Sequence, residues 1–213
     1  NSHGIYHYVN NDDIYNIKVL MIGPSDTPYE FGFYFFNIVI PKDYPFNPPK
    51  VTYCTQNGKT RFNPNLYTNG KVCLSIINTW SGPRWTSCNS ISTVLLSIQA
   101  LVFIKNPLHN EPGYEKEQGI RNDNYNHLIL YANFKTAIYQ MIIKPPPTFE
   151  EFNSITIKSF MDNYENIIKK IDNNMKYNNK SFNLQFYNMS EKINYINLKN
   201  SIEDLYKNIL EQN

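Results

Sequence analysis

The chain has 213 residues and 41% hydrophobic side chains, enough to bury one sizeable core and an extension to it. Its net charge of +2, with no basic run, argues against nucleic acid or an anionic membrane as the main partner. No apolar run approaches membrane-spanning length, and Cys54, Cys73 and Cys88 lack metal-ligand spacing, so no metal site is expected and the expected setting is reducing, cytoplasmic or nuclear.

Residues 14–22 alternate loosely between apolar and polar and end at Gly23-Pro24, the pattern of a strand closed by a turn. Residues 31–40 are aromatic and β-branched, which predicts a second strand buried on most of its surface and ended by Pro41. Residues 51–55 form a short third strand, and the close spacing predicts an antiparallel meander. Prolines stiffen the intervening Tyr44-Pro45-Phe46-Asn47-Pro48-Pro49 and leave Phe46 on a protruding loop, as either a core plug or a partner anchor.

Residues 61–75, Arg-Phe-Asn-Pro-Asn-Leu-Tyr-Thr-Asn-Gly-Lys-Val-Cys-Leu-Ser, suit neither strand nor helix. Pro64 lacks a backbone donor and restricts Asn63, while Asn69-Gly70 signals a turn. The chain therefore folds back just before Cys73, a geometry that can bring the Asn65 amide near the Cys73 sulfur. A thiol beside a fixed amide donor suits acyl transfer, with sulfur as nucleophile and the amide on the oxyanion. The alternative is a buried, inert cysteine beside a polar turn.

The stretch up to Ser90 is loop-like, with Trp80, Gly82-Pro83 and Trp85. Ile91, Val94, Leu95, Ile98, Leu101 and Val102 then follow helical spacing, with Asn89 or Ser90 as cap and Pro107 as stop. A loop over residues 109–113 leads to a second helical pattern at 125–142. Lys144-Pro145-Pro146-Pro147 is the natural break between a core, 1–143, and a helical extension, 144–213. In the extension, Phe149, Phe152, Phe160, Tyr164, Ile167, Ile168 and Ile171 predict one long amphipathic helix. An Asn-rich linker over 173–181 and a last helical stretch marked by Ile193, Ile196, Ile202, Leu205 and Ile209 follow. These stripes read as core packing or as partner-binding helices.

Pro28-Tyr29-Glu30-x-Gly32, Tyr44-Pro45-x-x-Pro48-Pro49, Asn63-Pro64-Asn65, Gly70-x-x-Cys73-Leu74 and Trp85 occur in the order and spacing of one family. Over about residues 15–142 the chain resembles the ubiquitin-conjugating enzymes. Arg61-Phe62-Asn63-Pro64-Asn65-Leu66-Tyr67, Thr79-Trp80-x-Gly82 and Asn110-Glu111-Pro112-Gly113 resemble one branch in particular. That branch holds the carrier charged by the alternative ubiquitin-activating enzyme and the conjugating domain of the giant inhibitor-of-apoptosis protein. The tail, with Ser159-Phe160, is similar to that of the first of these.

The resemblance implies an α+β fold, an antiparallel meander of about four strands with packed helices. It implies that Cys73 holds ubiquitin or a ubiquitin-like modifier as a thioester. Asn65 would stabilise the oxyanion or hold the loop. Glu111, or else Asn110, would stand at the gate for the incoming lysine. Phe46 and the Trp85-Thr86-Ser87-Cys88 loop would meet ligases, with Ser87 in place of a common Pro and a four-residue lengthening around Trp80. Asn63 stands where most members carry a mainly structural His. The implied partners are an activating enzyme, a ligase and a protein substrate; the chain itself would need no cofactor, because the activating enzyme uses the ATP, and is expected to be a monomer. Family members begin with a helix that contacts the activating enzyme, and residues 1–9 are too few for it. Either that helix lies outside this sequence or charging works differently.

Two other readings stay open. A non-catalytic member would use the same fold only to bind ubiquitin or a ligase, and such variants typically lack the cysteine. A cysteine hydrolase would need His109 or His127 brought to Cys73 as general base.

Overall fold

The computed structural model describes residues 4–212; the outermost ends of both expected segments, residues 1–3 and 213, lie outside them. Strands β1 (Ile5–Asn10), β2 (Asp13–Ile22), β3 (Phe33–Val39) and β4 (Lys50–Tyr53) form an antiparallel sheet in chain order. Met21 stands opposite both Ile5 and Tyr34, and Phe36 opposite Tyr53. The strand expected at 14–22 is thus the second of the sheet. Ile5, Tyr6 and Val9 are only partly buried, so the apolar signal of β1 is diluted by its exposed positions.

Phe33 to Phe36 are all buried because the sheet is covered on both faces. Successive side chains of a strand point to opposite sides. Tyr34 packs on Phe62 and Phe103, with ring centroids 5.9 and 4.6 Å away, while Phe35 meets Phe149 and Phe152 of the tail at 5.2 and 6.1 Å.

Helix α1 (Ile91–Leu101) starts at Ser90, whose hydroxyl accepts from the Thr93 amide at 3.2 Å while Thr93 Oγ1 accepts from the Ser90 amide. It ends at Leu101, with Val102 as its cap, well before Pro107. That proline instead opens a 3-10 turn, Pro107–Asn110, where its missing N–H costs nothing. Helix α2 (Ile120–Ala132) begins ahead of the expected Tyr125 and continues through a π-helical segment, Asn133–Gln140, into α3 (Met141–Ile143). The π segment turns Asn133 into the core. There its Oδ1 accepts from the Tyr34 hydroxyl at 2.6 Å and its Nδ2 donates to the Glu30 carbonyl at 2.8 Å. This contact accounts for Gly32: a Cβ there would lie 2.0 Å from Asn133 Oδ1.

Beyond the prolines, Phe149 caps and Phe152 ends a 3-10 entry (Glu150–Phe152) that precedes the long helix, α4 (Asn153–Asn173). Within the Asn-rich stretch, Met175–Tyr177 forms a further 3-10 turn. A hairpin, β5 (Ser181–Leu184) and β6 (Met189–Lys192), then precedes α5 (Tyr195–Gln212), so the extension is helical but not all-helical. Phe182 and Leu184 point inward from β5, the alternation of a half-buried strand, yet four residues are too short to stand out in a polar segment. Tyr164 stacks on Tyr206 at 3.7 Å and joins α4 to α5, while Tyr131 of α2 meets Tyr195 edge-on at 5.3 Å. Phe160, Ile167, Ile171, Ile202 and Ile209 are buried in one apolar cluster with the sheet and α1, so the tail stripes serve mainly as core, although Ile196 of the last stripe is exposed. No helix among the described residues is long and apolar enough to cross a membrane.

Candidate active site

Residues 61–79 make the site, and their polar atoms are tied mainly to one another. Gly70, at φ +90°, donates its N–H to the Tyr67 carbonyl, and the Tyr53 N–H reaches the Gly70 carbonyl, so the turn is stitched to the end of β4. Positive φ is what glycine tolerates and other residues resist. The returning chain pairs Leu66 with Val72. The Cys73 N–H donates to the Asn65 carbonyl at 2.9 Å, and Asn65 Nδ2 donates to the Cys73 carbonyl at 2.6 Å. The residues flanking Cys73 are fixed by Thr79, whose hydroxyl donates to the Val72 carbonyl (2.8 Å) and accepts from the Leu74 N–H (2.9 Å).

The structure thus brings Asn65 to Cys73, but aims one amide N–H at the carbonyl of Cys73 rather than at its sulfur. The closed backbone turn presents that carbonyl to the amide. Of the two roles implied for Asn65, holding the loop is the one this bond performs. A carboxamide nitrogen carries two hydrogens, so the bond leaves one for a second acceptor.

Asn63 is fully buried and works as a cross-brace. Its Nδ2 donates to the Val102 carbonyl (2.8 Å) at the end of α1, and its Oδ1 accepts from the Asn65 N–H (2.8 Å) and from Asn110 Nδ2 (3.2 Å). The Tyr29 hydroxyl, which donates to the Phe62 carbonyl, accepts from the same amide. Tyr29 belongs to the Pro28–Gly32 motif, so two sequence motifs meet here as one hydrogen-bonded unit.

Cys73 is only 1% exposed, yet it borders a cavity of about 90 Å³ together with Arg61, Asn65, Tyr67, Trp80, Asn110 and Glu111. Both candidate gate residues therefore stand at the cavity. They are engaged differently: Asn110 Nδ2 is held by Asn63 and by the Leu101 carbonyl (2.8 Å), whereas the Glu111 carboxylate accepts the hydroxyl of Tyr187 from the tail hairpin. Arg61 lies 3.7 Å over the Tyr67 ring and bonds the Pro64 carbonyl, while Lys71 is exposed.

No histidine lines this cavity among the described residues. Nε2 of His109 is bonded to the Glu117 carbonyl at 2.9 Å, and His127 lies against Tyr177 and Phe182 at 4.0 and 4.7 Å. The hydrolase reading thus finds neither His109 nor His127 beside the sulfur. No group of three His, Cys, Asp or Glu suited to a metal occurs among the described residues. Cys54 is half-buried, and burial raises its thiol pKa; Cys88 is exposed.

The two loops expected to meet ligases differ. Phe46 is 78% exposed, which excludes the core plug. Trp85 is 7% exposed, its indole N–H donating to the Pro45 carbonyl at 2.7 Å and its ring 5.9 Å from Tyr44. Thr86, Ser87 and Cys88 project at the surface, with Asn89 Oδ1 accepting from the Thr86 N–H. Sequence reasoning missed Tyr187. It lies 76 positions from Glu111, in a polar stretch whose only hint was the short Phe182/Leu184 alternation.

Comparison with known proteins agrees with this geometry. The family model described as ubiquitin-conjugating enzyme matches residues 1–129. Human ubiquitin-conjugating enzyme E2 Z is 46% identical over 155 residues, 72% of this chain and 44% of that protein. This chain therefore spans less than half the length of that relative. Human dual E2 ubiquitin-conjugating enzyme/E3 ubiquitin-protein ligase BIRC6 is 43% identical over 145 residues, 63% of this chain and 3% of that one. Among solved structures, the E2 domain of a Toxoplasma gondii ubiquitin conjugating enzyme superposes with a TM-score of 0.50 at 27% identity, covering 64% of this chain and 90% of that one. With the four-stranded meander, the helices packed on it and the paired Asn65–Cys73 turn in place, the chain belongs to the ubiquitin-conjugating enzyme family.

Proposed function

We propose that Cys73 accepts ubiquitin, or a ubiquitin-like modifier, as a thioester from an activating enzyme and passes it to a substrate lysine, usually with a ligase. The observation that carries this reading is the joint placement of Cys73, Asn65 and Glu111 around one cavity. In the first step the Cys73 thiolate attacks the glycyl carbonyl of the modifier. A carbon–sulfur bond forms at Cys73 and the one to the activating enzyme breaks, releasing that enzyme's thiolate. Little activation is needed, because the entering and leaving groups are alike.

In the second step a lysine amine attacks the thioester. A carbon–nitrogen bond forms, Cys73 leaves as thiolate, and the amine gives up a proton. In this reading Glu111 takes that proton and the second N–H of Asn65 donates to the oxyanion. Because Cys73 is almost fully covered, the cavity must widen for the modifier's tail, and the half-exposed Trp80 at its border is one side chain whose movement would open it.

The test is charging of the chain by purified activating enzymes with ATP, read on non-reducing gels. Wild type should give an adduct cleaved by reductant, and Cys73→Ser an adduct that resists it. If no activating enzyme and modifier give either adduct, the reading fails. Asn65→Ala should slow lysine discharge roughly 100- to 1000-fold while leaving charging intact. Equal loss of both steps would restrict Asn65 to holding the loop.

A further inference from the structure

The tail hairpin reaches into the site's own residues. Its turn, Gln185–Tyr187, places two adjacent aromatic side chains on the segment that carries Glu111. Phe186 stacks on Tyr114, centroids 5.2 Å apart and planes 20° from parallel. The Tyr187 hydroxyl donates to Glu111 Oε2. Its ring lies edge-on to Tyr125 (5.8 Å), whose own hydroxyl donates to the Arg61 carbonyl at 2.7 Å. The Arg61 guanidinium sits between the rings of Tyr187 (4.5 Å) and Tyr67 (3.7 Å). Arg61, Tyr67 and Glu111 all border the Cys73 cavity, so one phenol from the tail contacts two of the three.

The contact is chemically one-sided. A carboxylate only accepts, so the phenol must donate. Burial, and then the bond to Glu111, push the Tyr187 pKa well above that of an ordinary phenol, so the donor keeps its proton throughout the neutral range. A carboxylate on a flexible side chain samples several rotamers, and a general base acts only from within hydrogen-bond reach of its proton. Binding one oxygen to a phenol held by ring contacts removes that freedom and leaves the other oxygen for the amine.

We propose that Tyr187 is a positioning residue for lysine transfer: the tail hairpin fixes the Glu111 carboxylate at the acceptor side of the Cys73 cavity. The inference rests on the thioester reading given above. It makes the extension part of the transfer machinery rather than an appended support.

The full chain is charged, the activating enzyme is stopped by removing ATP, and discharge is followed separately with free lysine and with a small thiol. Thiol attack needs no carboxylate and reports on the thioester alone. Tyr187→Phe keeps the ring and deletes only the donor, and its melting temperature is measured alongside. We expect it to slow lysine discharge about tenfold, the order of a hydrogen bond to a charged group, while thiol discharge stays within about twofold of wild type. Glu111→Gln should slow lysine discharge at least as much, and adding Tyr187→Phe to it should change nothing further. Three results would overturn the inference while leaving the thioester reading intact: lysine discharge by Tyr187→Phe equal to wild type, equal slowing with lysine and thiol, or effects of the two substitutions that multiply. A wild-type chain that takes no reducible adduct would remove the thioester reading, and this inference with it.

Discussion

Around Cys73, polar atoms of residues 61–79 bond mainly to one another, whereas residues 149–212 meet the rest of the molecule largely through rings and aliphatic side chains. The loop needs directional bonds because the proposed acyl transfer requires its atoms to be held to fractions of an ångström, and a wrong residue type cannot supply them. Away from the hairpin turn that carries Tyr187, the tail needs only the right apolar volume in the right stripe, which several residue types can fill. One region is therefore specified by residue identity and the other by pattern.

The sharpest way to break this contrast lies in the tail. Phe160 is completely buried against Tyr164 and Tyr206 at 6.1 and 6.4 Å. Phe160→Ala should cost about 3–5 kcal/mol in urea unfolding. Both tryptophans, Trp80 and Trp85, lie beside the site, so their fluorescence reports the core half. If tail and core are one cooperative unit, that signal moves by the full amount; if it stays while helical circular dichroism shifts, the shared core is two.

The loop is probed at Asn63. Asn63→Ala would strand the Asn65 N–H and one donor of Asn110 and leave the Val102 carbonyl only the Ile104 N–H, and should destabilise by about 3 kcal/mol, since each buried group left unpaired costs of order 1–3. Asn63→Asp retains only the acceptor side, and its recovering part of the loss would apportion the bonds. Full recovery in both would show that the cross-brace is ornamental.

The smallest effect is one of pH, at the seam between the regions. Burial against Tyr177 and Phe182 holds the His127 pKa below its ordinary value, with Asp123 opposing and Lys176 and Lys180 adding to the shift. The unfolded chain then binds the proton more readily than the folded one. Its contribution is complete above about pH 6.5 and is lost as pH falls below that value. His127→Phe should flatten the acid-side fall of melting temperature between pH 7 and 5 relative to wild type; an unchanged slope would assign that fall to other groups.

This contrast also explains what the sequence revealed. The loop was legible because each of its constraints is local: Pro64, Asn69-Gly70 and the Asn65–Cys73 spacing each restrict a few neighbouring bonds. Strands β2 to β4 and the Ser90 cap were legible for the same reason. The hairpin was not, since Phe182 and Leu184 offer only two alternating apolar positions among asparagines. Nor was the direction of the Asn65 amide, which depends on which acceptor the closed turn presents. The contact of Tyr187 with Glu111 joins distant parts of the chain and has no local signature at either end.

The indole of Trp85 has a consequence for how force enters this molecule. Its ring nitrogen clasps the Pro45 carbonyl, next to the outward-facing Phe46, while its own backbone N–H is held by Asn78 Oδ1, the neighbour of Thr79. Thr79 in turn grips the peptide groups on either side of Cys73. A protein that seized Phe46 would be pulling on a short mechanical linkage whose far end is the backbone beneath the Cys73 sulfur.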